Sequence, residues 1–150
     1  DDGVKTFAGT VIDLNKDWCQ PGRFPGVPPW TMTLLSRELP FSHRSAEFRF
    51  FVIGHKVITG SQYRHGSVAS VTKSVWPVAV DAADVFVNQL KNMEAPFGDS
   101  YVIDIAIGRD DTARIVEFNS LSCSGQYACD RSKIVKAVVE YYTGIHIGNE

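Results

Sequence analysis

Glu47-Phe48-Arg49-Phe50-Phe51-Val52-Ile53 and Lys56-Val57-Ile58-Thr59-Gly60-Ser61-Gln62-Tyr63-Arg64 are two apolar-rich runs separated only by Gly54-His55. A connection of that kind closes a β-hairpin, since glycine readily takes the positive φ that a tight turn demands. The first run opens by alternating polar and large apolar residues, which puts Glu47, Arg49 and Phe51 on one face of the strand. Arg49 is therefore aimed by its neighbours rather than left to wander.

Working outward, the sequence predicts a second hairpin. Its strands run from Ser100 to Ile107 and from Ala113 to Phe118, joined by the polar turn Gly108-Arg109-Asp110-Asp111-Thr112. Between the hairpins, Pro77 opens a window to Met93 in which Val80, Ala83, Asp84, Val87 and Leu90 follow helical spacing, with proline suited to the first turn. A second helix is predicted from Asp130, its N-cap, through Ile134, Val135, Val138 and Val139 to Tyr142, with Gly144 just beyond its end. Upstream, Lys5 to Leu14 reads as a strand with a bulge at Gly9, and Cys19 to Trp30 is too dense in proline and glycine to be anything but loop. Thr31 to Leu35 reads as a short strand that enters Ser36-Arg37-Glu38-Leu39-Pro40, a crossing between two lobes. The order of elements predicts an α+β domain: a mainly antiparallel sheet with helices packed against it.

Composition limits the function classes. The chain has 150 residues, 44% of them hydrophobic and 21% charged, which suits one globular domain with a sizeable core. A formal net charge of −2 gives no global basic field, which disfavours general binding to nucleic acid or an anionic membrane. No apolar run approaches the roughly 20 residues that span a bilayer. Cys19, Cys123 and Cys129 make an odd count without CxxC spacing, so neither a disulfide framework nor a four-cysteine zinc site is expected, and a cytoplasmic setting fits. The start Asp1-Asp2-Gly3-Val4-Lys5 carries no methionine and leads almost directly into patterned sequence, consistent with a piece of a longer protein.

Chemistry concentrates in the second hairpin. Val102-Ile103-Asp104-Ile105-Ala106 sets one carboxylate in an apolar strand, which is costly unless a cation or donor compensates it. Val116-Glu117-Phe118-Asn119 puts Glu117 and Asn119 on one face, with Phe118 on the other, and antiparallel pairing is able to bring Asp104 beside them. Three oxygen donors together suit a hard cation such as magnesium. Arg49 and Arg64, as planar multi-donor groups, match phosphate oxygens. A plainer arrangement stays open: Asp104 pairing with an arginine, Arg49 and Arg64 neutralising Glu47 and Asp104, and Glu117 with Asn119 on a solvated face.

These blocks together resemble the ATP-grasp enzymes, specifically the phage- and bacteria-associated clade named for two arginines and one lysine. Lys5-Thr6-Phe7-Ala8-Gly9 is similar to that clade's Lys-x-Phe-x-Gly segment, Glu47-Phe48-Arg49 to its Glu-x-Arg strand, and Gly60-Ser61-Gln62-Tyr63-Arg64 to the strand that follows. Asp104 and Glu117-Phe118-Asn119 complete the ordered pattern. The resemblance implies an ATP-dependent ligase, or its catalytic lobe, joining a carboxylate to an amine through an acyl phosphate. ATP and Mg2+ would be its cofactors. Lys5 would approach the phosphates, Glu38 and Leu39 the adenine, Arg49 and Arg64 the phosphate or acyl phosphate, and Asp104, Glu117 and Asn119 the metal, with Asn119 also near the nucleotide. Residues 1–40 would belong to the small nucleotide-binding lobe and residues 41–150 to the metal- and phosphate-binding lobe. The implied partners are small-molecule or peptide carboxylates and amines, without nucleic acid or membrane. Family members usually carry a substrate-binding domain and a further lysine upstream, so a missing N-terminal domain or a partner chain would supply them here. The alternative is a non-catalytic nucleotide-binding or protein-interaction module that keeps a degenerate form of the fold.

Leu121-Ser122-Cys123-Ser124-Gly125-Gln126-Tyr127 follows the metal strand and is expected to line a substrate or phosphate pocket through its backbone N–H groups. Tyr127 is read as able to orient that loop. A nucleophilic Cys123 would need a base, and no histidine lies near it in sequence. His43, His55, His65 and His146 are scattered and receive no role, while Trp18, Trp30 and Trp76 are expected to cover the edge of the core.

Overall fold

A computed structural model describes residues 45–92 and 98–148. The predicted hairpins are both present. The first is β1 (Ala46–Ile53) with β2 (Lys56–His65), turning through Gly54 and His55, both at positive φ. A short β3 (Val68–Thr72) then folds back on β2, and α1 (Pro77–Lys91) follows. The second hairpin is β4 (Tyr101–Ile107) with β5 (Ala113–Asn119), and α2 (Arg131–Thr143) closes the order. The five strands form one antiparallel sheet in the order β3-β2-β1-β4-β5. The α+β architecture expected from the sequence is the one observed.

The pairing of β1 with β4 is what makes the site, because it joins two hairpins far apart in sequence and puts both strands at the centre of the sheet. Every residue of β1 and of β4 is buried. On one face Phe48, Phe50, Val52, Tyr101, Ile103, Ile105 and Ile107 pack with Ala79, Ala83 and Val87 of α1. On the other, Phe51, Ile53 and Val102 pack with Cys129 and with Ile134 of α2. Alternation along a strand explains this division, and the second face is only partly apolar.

Helix boundaries follow local chemistry. Pro77 stands at the start of α1, where a missing N–H is harmless. Asp130 caps α2 by accepting from the Lys133 backbone N–H, and Gly144 ends it at φ 70. The stripe of α1 differs from the predicted one: Ala79, Ala83 and Val87 are buried, whereas Val80 and Asp84 face outward. The buried positions of α1 are small or β-branched, and they share one core cluster with the Phe48, Phe50 and Tyr101 rings. Trp76 packs edge-on against Phe48, with centroids 5.4 Å apart, as expected of a residue covering the core edge.

β3 has no counterpart among the strands predicted from the sequence. It is a five-residue edge strand whose Val68 and Val71 are exposed, so it carries little of the apolar alternation that marks strands buried on one face. No helix among the described residues is long and apolar enough to cross a membrane. The predicted strands at 5–14 and 31–35, the loop at 19–30, and the boundary at residues 40 and 41 lie outside the described residues.

Candidate functional site

The half-polar face of the sheet carries three neighbouring rows. Register places Arg64, Glu47 and Ala106 in one; Ser61, Arg49, Asp104 and Glu117 in the next; and Thr59, Phe51, Val102 and Asn119 in the third. Two irregularities sharpen the central row. A shift in β2 opposite Glu47 and Phe48 gives Tyr63 an extra position, and a shift in β5 follows the Asp104–Glu117 pair. Bulges of this sort re-aim side chains next to the regular ladder.

Arg49 is the hub. Its Nε donates to Asp104 Oδ1 at 2.8 Å and its Nη2 to Asp104 Oδ2 at 2.7 Å, a bidentate buried pair. Nη1 donates to the Gly125 carbonyl at 3.0 Å, and Nη2 lies 3.7 Å from Glu117 Oε1. The guanidinium carbon sits 4.8 Å from the Tyr127 ring centroid and 5.8 Å from that of Tyr63. The two rings stack on each other at 5.0 Å and 12°. Asp104 is only 1% exposed, so both partners have given up water and depend on each other.

Burial opposes the Arg49 charge, but the hydrogen bonds and attraction of Asp104 outweigh it and hold the guanidinium above its ordinary pKa. Burial pushes the Asp104 carboxyl up despite Arg49, and the nearby Glu117 pushes it the same way. Burial, the Asp104 charge and the hydrogen bond to Glu47 push the Tyr63 phenol well above its usual range. Tyr63 is thus a neutral donor, and its hydroxyl donates to Glu47 Oε2. Burial likewise raises the Cys129 thiol, which donates to Ser61 Oγ at 3.2 Å behind Arg49.

Arg64 is arranged differently. Its Nη1 donates to Glu47 Oε1 at 3.2 Å, and its side chain is 48% exposed against 5% for Glu47. Glu117 is 34% exposed and accepts from Asn119 Nδ2 at 3.0 Å. Two carboxylates and one amide side chain therefore adjoin on this face. Among the described residues no group of three or more His, Cys, Asp and Glu side chains could hold a metal, so any metal here depends on the amide for its third protein oxygen.

Of the predicted site residues, Arg49, Asp104, Glu117 and Asn119 come together, and Arg64 lies one row away beside Glu47. The plainer pairing foreseen for the two arginines is also present, with Arg49 on Asp104 and Arg64 on Glu47. Lys5, Glu38 and Leu39 lie outside the described residues. Sequence reasoning gave no role to Tyr63 or to the Gly125 carbonyl. The irregularity that turns Tyr63 onto the polar face has no local sequence signature, since it is one of two register shifts in the pairing of β1 with β2.

A family model described as an ATP-grasp domain, family 2 of the clade named for two arginines and one lysine, matches residues 1–137. No curated protein matches the chain. A solved structure described as "Structure of ATP-grasp ligase PsnB complexed with minimal precursor" matches 52% of this chain and 26% of its own, at 20% identity and a TM-score of 0.36. The match spans about a quarter of that protein, and so slight a likeness assigns no role to any residue here.

Proposed function

Because the chain belongs to the ATP-grasp domain family, in the second family of the clade named for two arginines and one lysine, we propose that it supplies the metal- and phosphate-binding lobe of a carboxylate–amine ligase using ATP and Mg2+. The observation that carries this reading is the row in which buried Arg49 and Asp104 meet Glu117, with Asn119 beside Glu117 in the adjoining row, on a partly exposed face.

The donor set fits a hard cation. All the donors are oxygens, and two adjoining carboxylates, one of them already driven toward protonation, are a ground state that a divalent cation relieves. Asp104, Glu117 and Asn119 would hold the metal, Glu117 and Asn119 from the exposed side and Asp104 from the buried side. Bound magnesium would neutralise phosphate charge during transfer. Arg49, pinned by Asp104, offers a fixed positive charge beside that position, and the half-exposed Arg64 has donors available to a phosphate oxygen.

The reaction would run in two displacements. A carboxylate oxygen attacks the γ-phosphorus of ATP and ADP leaves; the amine nitrogen then attacks the acyl carbon, phosphate leaves with the C–O bond electrons, and the amine proton passes to solvent. A carboxylate is a poor acyl donor until phosphorylation gives it that leaving group. Small-molecule or peptide carboxylates and amines are the substrates on this reading, in the cytoplasm, with an N-terminal domain or a partner chain completing the acceptor side. Lys5 would meet the phosphates, and Glu38 with Leu39 the adenine.

One observation favours a second reading. Both arginines already have carboxylate partners, Arg49 with Asp104 and Arg64 with Glu47, as in a non-catalytic module that keeps the fold. Calorimetry and product release separate the two. Magnesium-dependent ATP binding, with ADP or phosphate released on a panel of amino acids and peptides and lost in Glu117→Gln, supports the ligase. Binding without turnover in the full-length protein supports a nucleotide-binding module, and absence of magnesium-dependent nucleotide binding overturns the ligase and leaves a protein-interaction module.

A further inference from the structure

We propose that Tyr127 is a positioning residue that locks the Arg49 guanidinium and ties its orientation to the loop between β5 and α2. The proposal rests on the reading that Arg49 faces a phosphate group.

Three observations converge on it. Tyr127 adopts φ 46, a left-handed conformation that disfavours a side chain with a Cβ, so the turn that the Cys129 N–H closes on the Gln126 carbonyl at 2.9 Å and the contacts of the ring together hold it there. Those contacts are Tyr63, stacked at 5.0 Å, and Arg49, with its central carbon 4.8 Å from the ring centroid. The same loop also delivers the Gly125 carbonyl to Arg49 Nη1 at 3.0 Å, in a place where a Cβ on Gly125 would stand 3.7 Å from that nitrogen.

The two walls of the cage are not equivalent. Tyr63 is fixed from the sheet, since its hydroxyl donates to buried Glu47. Tyr127 is 45% exposed and stands on a loop, so it is the wall that moves when the loop moves. Asp104 takes the Nε–Nη2 edge of the guanidinium and the Gly125 carbonyl takes Nη1, while the Tyr127 and Tyr63 rings lie 4.8 and 5.8 Å from its central carbon. A group held on edge and face has its donors aimed before any ligand arrives, which is how a fixed charge contributes most to a developing one. Displacing the loop removes one aromatic wall and one acceptor together. Loop position and Arg49 order are therefore coupled.

The test uses the full chain labelled with 15N and follows the Arg49 Nε–Hε resonance, identified by its loss in Arg49→Lys. Wild type and Tyr127→Phe are expected to show the same slowly exchanging signal. Tyr127→Leu, which keeps bulk but removes the ring, is expected to speed its exchange about tenfold, in line with a partly buried cation–π contact. Thermal melting should fall by no more than about 3–6 °C, the shift that a loss of that size gives a chain of this length. Affinity for magnesium-ATP should fall about tenfold in Tyr127→Leu and hold in Tyr127→Phe. An Arg49 signal unchanged in Tyr127→Leu overturns the proposal, and so does a Tyr127→Phe variant as impaired as Tyr127→Leu. If the wild-type protein binds no magnesium-ATP, the ligase reading fails while the resonance still decides whether Tyr127 orders Arg49.

Discussion

Replacing Asp104 with asparagine keeps the shape of the side chain and removes its charge, and the structure sets how much that should cost. Asp104 accepts two charge-assisted bonds from Arg49, at 2.8 and 2.7 Å, with both side chains almost fully buried. The amide retains one acceptor and turns an N–H2 group toward a guanidinium that offers only donors. Removing one member of a buried ion pair costs about 3–5 kcal/mol, because the survivor is left charged and dry. Glu117 Oε1, 3.7 Å from Nη2, can take up part of that load, which places the expectation at the lower end, about 3 kcal/mol. Against a total stability of about 5–15 kcal/mol this is a large loss. Urea unfolding with a chelator present measures it, as a lower midpoint at unchanged slope. Arg64→Ala serves as the contrast, since its half-exposed pair with Glu47 should be worth about 1 kcal/mol or less. A double-mutant cycle with Arg49→Met should return most of the Asp104 cost as coupling. An Asp104→Asn loss below about 1 kcal/mol, no larger than that of Arg64→Ala, would mean that Arg49 and Asp104 do not rely on each other, and the reasoning would fail.

Gly60→Ala should destabilise by about 1–3 kcal/mol, since its Cβ would stand 2.5 Å from Cδ1 of the buried Phe50 ring and 3.3 Å from the Arg49 carbonyl; a neutral substitution in the same unfolding assay would contradict that packing. The Tyr141 hydroxyl donates to Asp99 and, with Ser100, holds the Asp99 carboxyl below its ordinary value. As pH falls the unfolded chain takes up that proton first, so the contribution is present above the ordinary carboxylate pKa and is lost as pH falls through the depressed one. Tyr141→Phe should therefore flatten the acid limb of a plot of melting temperature against pH, and an acid limb as steep as wild type would refute the linkage.

Much of the fold was legible because its signals are local. Gly54-His55 between two apolar runs, the polar stretch Gly108 to Thr112, Pro77 at a helix start, and Asp130 with Gly144 at the ends of α2 each act over a few residues, and each is found as read. Strand alternation likewise separated Glu117 and Asn119 from Phe118, and Glu47 and Arg49 from Phe48. What failed was less local. β3 lies at an edge and has no buried face to impose a pattern, and the buried stripe of α1 is fixed by the rings it rests on.

The sequence by itself determined that an aimed arginine, a carboxylate in an apolar strand and a Glu-x-Asn pair exist, and on which faces of their own strands they stand. Only the tertiary structure decided which of them meet. Arg49 and Asp104 are 55 residues apart, on strands joined by no common turn, so no local rule sets their register. The difference between the two buried faces of β1 sets it, since a slip of one residue would turn Phe48 and Phe50 onto the half-polar face and Arg49 into the apolar one.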